Sequence, residues 1–111
     1  MQVLKIIAAI GTIVTGLVSL LRPLAVRGFT GLEVQGGRGV TEIRSVLGGF
    51  FIALGAAPLI LNDPVAYQVL GIAYLVVGVT RAVSMFVDKS VVRSNVISLI
   101  VEIVFGVVLI L

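Results

Sequence analysis

Hydrophobic positions along this chain fall into four long runs, and most polar positions fall in the breaks between them. The runs cover about 2–21, 41–61, 65–87 and 91–111. The breaks carry Arg22-Pro23, Asn62-Asp63-Pro64 and Asp88-Lys89-Ser90. About 20 apolar residues in a helix cross the hydrocarbon core of a bilayer, so each run predicts one span. A barrel strand would alternate apolar and polar residues over about ten positions; these runs are continuous and far longer. The prediction is an all-α fold, a four-helix transmembrane bundle forming a single integral membrane domain over 1–111. The last three spans are joined by short connections, which makes neighbouring helices antiparallel.

One connection is longer, 22–40. Proline is preorganised for a first helical position, so Pro23 is expected to open a short interfacial helix to about Gly28. Gly31, Gly36, Gly37 and Gly39 then predict a flexible, turn-rich segment. Phe29, Leu32 and Val34 keep it partly apolar, against the headgroups or the end of the bundle. A cleaved signal peptide is the rival reading of the first run. Ala25-Val26-Arg27 fails the small-x-small pattern that cleavage needs, so the run is taken as a span.

Composition agrees with the pattern. Of 111 residues, 59% are hydrophobic and 12% charged, against about 45–50% and about 25% in soluble domains. Mean hydropathy is +1.28. The chain has no cysteine and no histidine. That excludes disulfides, thiolate nucleophiles and the commonest metal ligand and general base, so no cofactor, no metal site and no enzymatic activity are expected. The net charge of +3 is not a nucleic-acid signal, because the basic residues flank spans and face anionic lipid. Arg22, Arg27, Arg38, Lys89 and Arg93 share one side, against Lys5 on the other. The positive-inside rule then puts the 22–40 loop in the cytoplasm and both termini outside.

Helical spacing sorts the small and polar residues onto one face of each span. The first has Thr12, Thr15 or Gly16, and Ser19. The second has Ser45, Gly48, Gly49, Ile52 and Gly55, the third Gly71, Tyr74, Gly78, Arg81 and Met85, and the fourth Asn95, Ser98, Glu102 and Gly106. Small residues let helix backbones approach in lipid, so Gly48, Gly49, Gly55, Gly71, Gly78 and Gly106 are expected at helix contacts. Two arrangements satisfy this pattern: a tightly packed bundle with no pocket, or one with a small polar cavity at its centre.

Charge within the spans bears on that choice. Glu102 is the only ionisable residue from Ser94 to Leu111, and a carboxylate at mid-bilayer costs about 2.5–3.5 kcal/mol even on insertion scales. Packing about the 88–90 turn sets Arg81 level with Ile97, with Glu102 five residues deeper, about 7.5 Å at 1.5 Å per residue; an arginine side chain nearly crosses that gap, and Arg44 is a second candidate partner. Glu42 is expected to pair with Arg81 or with Arg38. Glu42, Arg44, Arg81 and Glu102 thus form a predicted intramembrane charge cluster, neutral overall. Its role is either to fix helix register or to serve an anion at the arginines or a proton at Glu102. Gly36-Gly37-Arg38-Gly39 follows no strand and precedes no phosphate-loop lysine, so it is not a phosphate site.

The run Gly39-Val40-Thr41-Glu42-Ile43-Arg44-Ser45-Val46-Leu47-Gly48-Gly49, with Gly55 and the later Arg81-Ala82, resembles an uncharacterised family of small four-helix bacterial membrane proteins. That family is known only as a domain of unknown function and is distantly similar to the DoxX group. The resemblance implies a bacterial cytoplasmic membrane and a glutamate-x-arginine pair opening the second helix. It also implies an arginine closing the third, matched by Arg81, and a carboxylate in the fourth, matched by Glu102. Small multidrug-resistance transporters compare less well. They carry their glutamate in the first helix beside tryptophan, and this chain has neither feature there.

Two functions are therefore expected. The first is an accessory or scaffold subunit of a larger membrane complex or homo-oligomer, surrounded by membrane lipid. The second is a small transporter or lipid- or quinone-binding protein that uses the Glu/Arg cluster. A cavity reaching Glu102 discriminates between them.

Overall fold

Once a chain this apolar leaves water, every backbone N–H and C=O must be satisfied within the segment, and a helix does this. The computed structural model describes residues 1–111 and is all-helical, with five helices. They are α1 (Gln2–Leu21), the short α2 (Val26–Thr30), α3 (Gly36–Leu61), α4 (Pro64–Val87) and α5 (Arg93–Ile110). α1, α3, α4 and α5 are each long and apolar enough to cross a membrane.

The breaks work as local chemistry dictates. Pro23 opens a single 3-10 turn, Pro23–Ala25, that leads into α2. Gly31 ends α2 in the left-handed region at φ 76°, where a side chain would be strained. Asn62 ends α3 the same way at φ 49°. Asp63 caps α4 by accepting from the Val65 N–H at 2.8 Å, with Pro64 in the first turn.

α3 departs from the sequence expectation at two places. Gly36, Gly37 and Gly39, expected in a flexible turn, form its first turns. Each glycine costs a helix about 1 kcal/mol. A small part of that cost is offset locally by the exposed Arg38–Glu42 ion pair one turn apart and by the contact of Val34 with Gly39. Further on, Ile43–Phe50 is π-helical. A π turn closes i→i+5 hydrogen bonds, and the two buried residues of the stretch, Ile43 and Gly48, are five apart.

Packing follows the small residues. α1 lies along α3, and α4 along α5; fewer contacts join α3 to α4 and α1 to α5. Along the first pair, Gly16 meets Gly48 and Ile52, while Gly55 meets Ala9 and Ile13, so contacts run in reverse order. A Cβ at Gly55 would stand 2.6 Å from the Ala9 carbonyl oxygen. In the second pair Gly71 and Gly106 pack against each other's carbonyls, at 3.0 and 3.2 Å from a notional Cβ. Gly78 faces Ile103 and Glu102. Gly49 does not serve as a helix contact: a Cβ there would meet only the Arg44 carbonyl of its own helix. The π turns carry it to the outer face.

The two pairs meet at one end, where Ala8, Ala9, Tyr67, Leu70 and Leu109 form a buried apolar cluster. Elsewhere the molecule is inside-out by the standard of a water-soluble protein. Thr12, Ser19 and Glu102 are buried, while large apolar side chains such as Phe86, 80% exposed, face outward. Apolar patches beyond a few hundred Å² normally mark an interaction or membrane surface. Here they cover the flanks of all four long helices.

Candidate functional site

The ionic centre of the molecule is built from two helices. Gly78, close against α5, brings α4 near enough for Arg81, one turn further on, to reach across. The Arg81 Nε donates to one carboxylate oxygen of Glu102 at 2.7 Å, and Nη2 donates to the other at 2.8 Å. This side-on, two-bond pairing is the strongest and most directional form of the interaction. Nη1 donates to Asn95 Oδ1 at 2.9 Å. Asn95 lies seven residues before Glu102, two turns away on the same face of α5. Its amide donates to the Ser90 carbonyl at 2.9 Å, which aims the oxygen at the guanidinium. Glu102 is the one buried charged residue, 8% exposed. No buried polar side-chain atom in the molecule is left without a partner.

The other two members of the predicted cluster lie elsewhere. Glu42 is exposed and pairs with Arg38. Arg44 is exposed and makes no bond to Glu102, whose two partners both come from Arg81. The physical reason is the π stretch, which begins at Ile43: Ile43 takes the buried position, and its neighbour Arg44 is left exposed. One four-membered cluster is thus replaced by a partly buried Arg81–Glu102–Asn95 group and a separate surface pair.

Above this group lies a cavity of about 530 Å³, within the range of about 300–1,000 Å³ typical of small-ligand sites. It is open on one side, and its wall is drawn from all four long helices and from α2. Arg81, Glu102 and Ser98 form part of that wall, as do Leu47 and Phe51 of α3. Its lining is mostly hydrophobic. Tyr74 also packs against the apolar cluster. Its hydroxyl shares a hydrogen bond with Thr12 at 2.5 Å, tying α4 to α1, and its ring meets Phe105 edge-on at 5.5 Å. Phe29, Thr30 and Leu32, from α2 and the segment after it, line the cavity too. A second cavity of about 320 Å³ shares Arg81 and Val77 with the first and is otherwise lined by Val76, Thr80, Ser84 and Asn95. A cleft thus reaches Glu102, but it is open-sided and mostly apolar, unlike the small polar cavity at the centre that the spacing also allowed.

Two contributors were not assigned to a site by sequence reasoning. Thr12 and Tyr74 were placed on inward faces, but nothing in spacing alone pairs residues 62 positions apart. The α2 segment was expected near the bundle end on the strength of Phe29 and Leu32, and its role as a cavity wall adds to that. No three acidic residues converge as a metal site would require.

Among known proteins, one family matches: that described as domain of unknown function (DUF4345), over residues 1–111. No curated protein and no solved structure matches the chain.

Proposed function

The chain belongs to DUF4345, a family described as a domain of unknown function, and from that premise we propose that it is a non-enzymatic membrane protein binding an amphipathic, lipid-soluble ligand within the bilayer. The observation that carries this reading is a cavity of about 530 Å³ whose mostly apolar wall is interrupted by the partly buried Arg81–Glu102 pair. A site of that kind offers a greasy volume for a tail and a fixed polar point for a head. Ionisable groups inside membrane spans more often mark ligand or ion pathways than lipid-facing surface.

In this reading the long helices form a four-helix bundle with antiparallel neighbours. The reversed order of contacts between α1 and α3, and the matching of Gly71 with Gly106, support that arrangement. The excess of arginine on the 22–40 side supports a cytoplasmic location for that segment, with both termini outside.

The test is purification from native membranes in a mild detergent, followed by mass spectrometry of the organic extract. The native chain is expected to carry an amphiphile in near-stoichiometric amount. Ser98→Trp, which places an indole in the cavity wall that Arg81 and Glu102 share, is expected to carry much less of it while keeping its helical circular dichroism. An extract holding no more than washed detergent controls, or one unchanged in Ser98→Trp, sinks the proposal.

A further inference from the structure

The charges in the cavity wall restrict what head the ligand can carry. Arg81 and Glu102 are the only charged residues that line the larger cavity, and Arg81 alone lines the smaller one. They neutralise each other in a two-bond pair. An anionic head would find no free cation. A cationic head would find the carboxylate already engaged at both oxygens, and 8% exposed. A charged head would meet a neutral pair with no net charge to balance it, so most of its desolvation cost would stand unless the pair broke.

Hydrogen-bonding capacity remains at the guanidinium. It has five N–H donors. Arg81 spends three, on Glu102 twice and on Asn95 once, so two remain. The acceptor sites left on Glu102 belong to a side chain only 8% exposed, and the Thr15 and Ser19 hydroxyls of the wall have given their protons to carbonyls of α1. The two Arg81 N–H groups are thus the unused charged donors of the site, and the Ser98 hydroxyl, which has no partner among the protein's hydrogen bonds, lines the same cavity and can donate or accept.

From this we propose that the ligand is an uncharged amphiphile whose head presents an acceptor oxygen, such as an ester or quinone carbonyl, to Arg81. The inference rests on the ligand-cavity reading above and adds the chemistry of the head. The volume sets a further bound. About 530 Å³ accommodates a head and the first part of a tail, and the rest of a long chain lies out among the lipids. Arg81 is then a specificity residue held in place by Glu102 and Asn95. Glu102 sets selectivity indirectly, by cancelling the charge that would otherwise draw an anion.

The experiment uses the full chain in nanodiscs of uncharged lipid. The chain contains no tryptophan and two tyrosines, one of which, Tyr74, lines the cavity. Tyrosine emission therefore reports occupancy when the probe carries bromine. Four probes share one brominated twelve-carbon chain and differ only in the head: methyl ester, benzoquinone, sulfonate and trimethylammonium. Quenching of the double variant Arg81→Met/Glu102→Met supplies the background from partition into lipid.

The ester or the quinone is expected to quench the native chain at a tenfold lower mole fraction than the sulfonate or the ammonium. Whichever of the two is stronger identifies the source of the carbonyl. In Glu102→Gln the order is expected to reverse, with the sulfonate at least tenfold ahead of the ester. If that variant does not fold, the order on the native chain still decides. Sulfonate or ammonium equal to or ahead of both carbonyl probes on the native chain overturns the inference and leaves the cavity reading standing. No quenching above background by any probe overturns both.

Discussion

Removing Arg81 should cost more stability than removing Glu102, and removing both should cost less than either. The perturbations are Arg81→Met, Glu102→Met and the double substitution. Arg81→Met leaves the Glu102 carboxylate 8% exposed with its only two donors gone. An uncompensated buried charge of this kind costs about 3–5 kcal/mol. Glu102→Met strands a cation instead, but the Arg81 side chain is 31% exposed, opens on two cavities and keeps Asn95. The loss there is nearer that of one charge-assisted hydrogen bond, about 1.5–3 kcal/mol. The double variant exchanges the pair for apolar groups of similar length, a change that is often neutral or stabilising. Equilibrium unfolding by SDS titration in mixed micelles, read by circular dichroism, gives all three free energies, and the cycle yields the coupling between the side chains. The reasoning fails if Glu102→Met is the costlier single change. It fails equally if the double variant is no more stable than Arg81→Met, because the two groups would then not be coupled through the pair.

Two glycine substitutions should part company: Gly55→Ala is expected to destabilise by several kcal/mol or to abolish folding, because its Cβ would stand 2.6 Å from a backbone oxygen of α1, whereas Gly49→Ala meets nothing but its own helix at 3.8 Å and should gain up to about 1 kcal/mol from helix propensity. The same SDS titration measures both. Tyr74→Phe keeps the edge contact with Phe105 and removes the hydrogen bond to Thr12. A loss of about 0.5–1.5 kcal/mol is expected, held to that range because the Thr12 hydroxyl still donates to the Ala8 carbonyl; thermal unfolding followed by loss of the monodisperse chromatographic peak reads it.

The long elements were legible because the signal for them is additive. Twenty apolar residues outweigh any local irregularity, and the Asn62-Asp63-Pro64 break combines a left-handed cap, a side-chain cap and a proline in three consecutive residues. The Arg81–Glu102 pair was legible because both spans beside the 88–90 turn keep an ordinary helical period, so residues could be aligned by rise alone. The second span was not, and for one reason. Placing Arg44 and Gly49 required a constant 3.6-residue period through Ile43–Phe50, and that stretch is π-helical. Each π turn takes an extra residue, so the phase carried forward from Glu42 is lost by Gly49, while Gly48 and Gly55, a further seven residues along, both return to the buried face. The cavity was an open alternative in the sequence because its volume depends on how the two helix pairs pack together, a property of the assembled faces and of no single residue.

The distribution of contacts also shows where the molecule is most thinly joined. The tight seams join α1 with α3 and α4 with α5, and the contacts between the two pairs are sparser. The cavity wall is drawn from both pairs. A molecule bound there touches both sides of the thinner joint, and its binding free energy adds to the stability of the folded chain over the unfolded one.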